Sequence, residues 1–326
     1  MEQGMKRKIA TTNRMVKRFK EDWKEFSFKV ALGRIIRDCP FFSWEVRRNY
    51  YEKQVYSYIK NEYEDVVKKC VQEYKEEQST VCDTRYIWVM WWQGEEAMPP
   101  IVKACYSSLT RAAGDNEVIL ITENNWKQYV ELPQVIIDKL NNKNISLTHF
   151  SDIMRVALLK KWGGIWIDAT VYVDVLPEQM LTDEFYTLRA PGLFPDFISR
   201  GDWIPFIICF KKKNSLFTKC LLKIFELYWS EHTQLIDYLM IDYCIKLLIN
   251  SVPDIHRMIE SVSLNKEYYM LNLAINRKYR VDELEEMLRK SPLQKLTYKK
   301  DFLIKTKNGE ETYYSFLLRK EKIDYE

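Results

Sequence analysis

The stretch His149–Thr170, HFSDIMRVALLKKWGGIWIDAT, constrains the fold more than any other part of this chain. Ile153, Val156, Ala157 and Leu159, with Trp162, recur at helical spacing and supply a packing face. Ser151 suits the N-cap and leaves Asp152 in the first turn. Arg155 follows three residues later, so the two charges share one face. Gly163-Gly164 stops the helix and permits a tight turn. Ile165–Ile167 then reads as a buried strand that delivers Asp168 at its carboxyl end.

That position carries a functional implication. In open α/β sheets, ligands bind outside the carboxyl ends of the strands. A carboxylate after an apolar strand has no packing role, and an unpaired buried charge is costly, so Asp168 needs a cation or a partner. A hard divalent metal bridging Asp168 and a diphosphate meets that need. Alternation places Trp166, Asp168 and Thr170 on one side, and the two-glycine turn brings Asp152 back toward them. The plainer alternative makes Asp168 a loop cap and Asp152–Arg155 a surface ion pair worth about 0–1 kcal/mol. The joint occurrence of both features around Gly-Gly argues against it.

The rest of the chain supplies a frame for this block. Residues 1–80 read as a helical extension, with apolar residues at helical spacing and a break at Cys39-Pro40. Tyr86–Trp92 and Glu117–Thr122 read as buried strands. Helices are expected from Pro99-Pro100 through Leu109 and over Pro133–Leu140. Strands alternating with helices predict βαβ units and a mostly parallel sheet. Further on, Phe206–Phe210 reads as a strand, and Leu216–Trp229 and Thr233–Ile249 as amphipathic helices. The expected division is residues 1–80, a catalytic domain over 81–305, and a tail over 306–326.

Composition narrows the class. With 47% hydrophobic and 29% charged residues, the chain is expected to fold. A net charge of +4 suits anionic substrates or an anionic membrane face, and no basic tract points to nucleic acid. Seven scattered cysteines without a CxxC pair argue against a disulfide framework and for a reducing, cytoplasmic setting. Three histidines without HExxH argue against a His-based zinc enzyme. The N-terminal segment lacks the apolar core of a secretory signal. No apolar run reaches the ~18 residues that span a bilayer. The expectation is a soluble or peripheral protein.

SDIMRVALLKKWGGIWIDATV resembles the signature of the capsular polysaccharide synthesis family within glycosyltransferase family 32, the DXD sugar-transferase group. IWVMWWQGEEAMPPIVKACYSSL resembles that family's first strand and helix, and LIDYLMIDY (235–243) and QKLTYKK (294–300) its later blocks. The resemblance covers about residues 84–300, and the middle block is the most specific. Large clostridial glucosylating toxins share the SDxxR…GG…D core.

The resemblance implies a GT-A fold, a Rossmann-like nucleotide-diphospho-sugar transferase with added N-terminal helices. It implies a nucleotide-sugar donor (a UDP-sugar first), a divalent metal (Mn²⁺ or Mg²⁺) and retention of anomeric configuration. Carried over by position, Asp152 and Arg155 contact the donor sugar, with Arg155 reaching the phosphates, and Trp166 lies near the ribose or sugar. Trp91 stacks on the base. Asp168 is the first Asp of the DXD motif and holds the ribose and metal-diphosphate region. The third motif position is Thr170, so this motif is D-A-T. Asp168 then serves the metal alone or through water, with Asp174 as a weaker substitute candidate.

Lys295 and Lys299 are placed to close over the diphosphate, as a C-terminal segment does in related folds. Asp237 and Asp242, read as flanking a helix, have catalytic, acceptor or capping roles open to them, and Lys211–Lys213 is a solvated turn or a phosphate contact. The implied acceptor is a glycan or lipid-linked oligosaccharide; docking of the N-terminal helices on the inner face of the plasma membrane or on a partner synthase is open, with peripheral association the expectation. A nucleotidyltransferase would carry GxGxxG or GxxxxGK[ST], and neither occurs. A non-catalytic glycan-binding or scaffold protein is the remaining alternative, permitted by the D-A-T change.

Overall fold

The computed structural model describes residues 2–74, 80, 86–193 and 198–324, with side chains from residue 14 onward. Seven strands are β1 Tyr86–Met90, β2 Glu117–Ile121, β3 Gly164–Ile167, β4 Val171–Val173, β5 Phe185–Thr187, β6 Ile207–Phe210 and β7 Leu293–Lys295. Five of them form one sheet in the order β2-β1-β3-β6-β5. β1 runs parallel to β2 and β3, whereas β6 runs antiparallel to β3 and β5. The protein is therefore α/β with a mixed central sheet, not the mostly parallel one expected. A parallel neighbour needs a long crossover, usually helical. After β3 the chain instead returns through β4, the short helix Glu178–Thr182 and β5, which brings β6 back in the opposite direction.

Period-two alternation divides the core into two layers. Trp88, Trp166, Ile208 and Phe210 face one side, with the helices Leu147–Trp162, Leu216–Glu231 and Trp44–Tyr74. Ile87, Val89, Ile165 and Ile167 face the other, with Pro100–Ala112 and Tyr313–Lys320. Burial of each of these last four side chains contributes about 1.5–3 kcal/mol.

Two helices start elsewhere than expected. The central one begins at Leu147, because the Ser146 side chain accepts from the His149 N–H and caps it a turn upstream of Ser151. Asp152 therefore sits in the second turn. The helix is buried almost all round between the sheet and Leu216–Glu231, so Asp152 and Arg155 are enclosed rather than solvated. The second begins at Met240 instead of Thr233. Residues 233–239 form a loop whose backbone is committed elsewhere: Ile236 O accepts from Arg34 Nη2 at 2.6 Å, and Ile236 N donates to Tyr228 Oη at 2.7 Å.

A small antiparallel sheet, β4 with β7, was not anticipated. It pairs Val171 with Lys295 and returns the C-terminal part of the chain to the end of β3. Glu321, just beyond Tyr313–Lys320, accepts from Arg111 at 3.0 Å and from Tyr172 Oη at 3.1 Å. The expected boundary at residue 80 borders residues 81–85, outside the described set, as does Cys82. Among the described residues no helix is long and apolar enough to cross a membrane.

Candidate functional site

The parallel strands determine where a ligand can enter. From β1 the chain crosses one face of the sheet through Pro100–Ala112 to β2. From β2 it crosses the other face through Leu147–Trp162 to β3. The β1–β3 boundary is thus a topological switch point, and a crevice opens beyond the carboxyl ends of such strands. A cavity of about 850 Å³ lies there, within the range of small-molecule and cofactor sites. Trp91, Asp152, Arg155, Trp166, Asp168 and Thr170 all line it.

Gly164 is what brings strand and helix together. Its φ is +92°, and a Cβ there would lie 2.5 Å from the Tyr86 carbonyl oxygen. Only glycine permits both the conformation and the approach. The Trp88 indole N–H then donates to Gly163 O at 2.9 Å and pins the turn to β1.

At the cavity floor, Arg155 joins two carboxylates. Its Nη1 donates to Asp152 Oδ1 at 2.8 Å and its Nη2 to Asp168 Oδ1 at 3.1 Å. Its guanidinium lies 5.0 Å from the Trp166 ring centroid. Trp166 Nε1 also donates to Asp168 Oδ1, at 2.8 Å. The second oxygen, Oδ2, accepts from Lys295 Nζ at 2.9 Å. Burial alone would raise the Asp168 pKa. The charges of Lys295 and Arg155, with hydrogen bonds from Lys295 and Trp166, outweigh it and hold the carboxyl below its ordinary range.

His149 lies behind Asp152 without a hydrogen bond to it. Trp229 Nε1 donates to His149 Nε2 at 3.1 Å, and since indole is donor-only, a neutral His149 carries its proton on Nδ1. That nitrogen lies 3.7 Å from Asp152 Oδ2.

The walls are aromatic. Trp91 meets Tyr298 edge to face at 5.4 Å, and its buried Nε1 has no hydrogen-bond partner among the described residues. An orphaned buried donor beside a cavity marks a place for a ligand acceptor. Opposite, Trp203 Nε1 donates to Asp242 Oδ1 at 2.8 Å. Burial pushes Asp242 up to about 7, against the lowering effect of the Trp203 hydrogen bond, and the Asp152 charge adds to the rise.

The 199–206 loop of this wall was missed in the sequence. Its signal was Gly201 in a Gly-Asp-Trp-Ile-Pro run: a Cβ there would lie 2.1 Å from Ala190 O. Other residues singled out lie apart from the cavity lining. Asp237 caps its own loop and accepts from Tyr51 Oη at 2.9 Å. Asp174 pairs with Lys320 at 3.4 Å, away from the cavity lining. Lys212 pairs with Glu184, Lys211 donates to Thr182 O, and Lys213 lies over Trp162. Lys295 lines the cavity, whereas Lys299 does not.

The residues present do not fit the expected divalent metal. Hard cations take several oxygen ligands, usually including carboxylates. Here Asp168 already accepts on both oxygens, from two cations and an indole, while Asp152 accepts from Arg155 and Asp242 from Trp203. Thr170 contributes a neutral hydroxyl at most. Among the described residues no group of three or more His, Cys, Asp and Glu side chains could hold a metal.

A family model described as capsular polysaccharide synthesis protein matches residues 40–317. No curated protein and no solved structure matches the chain.

Proposed function

The chain belongs to the capsular polysaccharide synthesis protein family, and on that premise we propose that it is a glycosyltransferase of the GT-A type. In this reading it is a member of the DXD group of family 32. It moves a sugar from a nucleotide-sugar donor, a UDP-sugar first, to a glycan or lipid-linked acceptor of capsule or surface polysaccharide. The observation that carries the reading is the convergence of Trp91, Arg155, Trp166 and Asp168 on one cavity at the switch point.

The base lies against Trp91, whose unpaired indole N–H takes an acceptor from it. The diphosphate lies at the Asp168–Lys295 end of the cavity, and the sugar extends toward Arg155 and Asp152. The acceptor enters along the Trp203–Asp242 wall. Asp152 and Asp168 are both engaged by Arg155, which supports a front-face retaining route over a double displacement on either carboxylate. The enzyme works in the cytoplasm, and a lipid-linked acceptor brings it to the inner membrane face.

Hydrolysis of a panel of UDP-, GDP- and dTDP-sugars by wild type and Asp168→Ala tests the reading. Release of one nucleotide, lost in the variant, is the expected result and names the donor. No hydrolysis and no binding of any donor would leave a non-catalytic partner of polysaccharide assembly.

A further inference from the structure

We propose that Lys295 takes the place of the divalent cation, so that the donor diphosphate is bound and released without metal. The inference rests on the transferase reading and deepens it. Three observations carry it. Lys295 Nζ sits 2.9 Å from Asp168 Oδ2, so a cation already engages the motif carboxylate on that oxygen. The other carboxylate oxygen, Oδ1, already accepts from Arg155 and Trp166. The motif position that would carry a second carboxylate is Thr170.

Lys295 is also built in, not a surface lysine that drifts onto a carboxylate. It belongs to β7, opposite Val171 of β4, and its backbone N–H donates to Tyr268 O at 2.6 Å. Its ammonium lies 4.5 Å from the Phe206 ring centroid, and the side chain is only 21% exposed. An ammonium has three N–H groups, and Asp168 takes one. The side chain lines the cavity, so the others can reach a phosphate oxygen.

The step balances without a co-reactant. The sugar C1–O bond to the β-phosphate breaks and its electron pair leaves on the phosphate oxygen. The acceptor hydroxyl oxygen forms the new bond to C1, and its proton passes to the departing diphosphate. Lys295 meets the charge that develops on that oxygen, and Asp168 with Arg155 positions the ammonium.

Calorimetric titration of the full chain with UDP, GDP and dTDP, in EDTA and then in Mn²⁺, tests this. One nucleoside diphosphate should bind with the same affinity, within about twofold, in both buffers. Lys295→Met should weaken it roughly ten- to hundredfold, the range of a lost charge-assisted hydrogen bond. Lys295→Arg should restore most of it, and thermal melting of both variants reports folding. Thr170→Asp, which returns the second carboxylate, should make binding respond to Mn²⁺. Binding in wild type that appears only with Mn²⁺ overturns the role of Lys295 and leaves the transferase reading standing. Failure of every nucleotide in both buffers overturns the two together.

Discussion

At the scale of single residues, the cavity holds two aspartates tuned in opposite directions. Asp168 is kept ionised by cations on both oxygens. Asp242 lies buried beside a neutral indole donor and near the Asp152 charge, and is pushed up to about 7. In the unfolded chain Asp242 titrates in the ordinary range near ~3.9. Between the two values the folded state binds the extra proton, so stability falls as pH rises through that window and levels off above it. Asp242→Asn keeps an acceptor for Trp203 and removes the charge. It should therefore melt a few degrees above wild type at about pH 8, with the gap largely closed at about pH 5. Melting curves that differ equally at both values would show that Asp242 is not neutral in the fold near pH 5.

Among elements, the turn between the central helix and β3 depends on a close approach that only glycine permits. Gly164→Ala introduces φ strain of about 1–3 kcal/mol and a Cβ driven into the Tyr86 carbonyl. Gly94→Ala has a similar φ of +85° but nothing within 4 Å of the new atom. Urea unfolding should show a larger loss for Gly164→Ala, the difference measuring the close approach. Equal losses would mean that β1 can move away.

The helix-turn-strand block was legible because its residues are neighbours in the chain. Asp152, Arg155, Trp166 and Asp168 come together through helical periodicity and one glycine turn. What could not be read were associations set by distant partners. The β4–β7 pairing joins two three-residue strands too short to announce themselves. The loop at 233–239 exists because Arg34 and Tyr228 bind its backbone, although its own apolar spacing reads as helix. The direction of β6 depended on a return path, which strand composition does not encode. The D-A-T departure raised the question of what else meets Asp168. That Lys295, and not Asp174, meets Asp168 required the fold.

For the molecule as a whole, the described surface carries an apolar outcrop between the helices Phe28–Asp38 and Trp44–Tyr74. Phe41 is 89% exposed, Phe42 54% and Trp44 50%, with the Arg47 and Arg48 guanidiniums near the Trp44 ring. Rings flanked by arginines suit an anionic lipid interface. If the acceptor is lipid-linked, the purified protein should sediment with phosphatidylglycerol vesicles at low salt, less so as salt screens the charges. Phe41→Ser/Phe42→Ser should weaken this. Indifference of wild type to such vesicles would remove the membrane from the reading.

Lys295 lies 127 residues beyond the Asp168 it binds. During synthesis from the N-terminus, the ribosome releases the whole helix-turn-strand block long before the strand that carries the lysine. Through that interval the pocket floor lacks one of its two cations, and a nascent chain has no finished diphosphate cradle. Assembly of the proposed donor site is thus a late event in the life of each molecule. A messenger cut short, or a chain clipped before β7, yields a protein with its central motif intact and Asp168 one cation short.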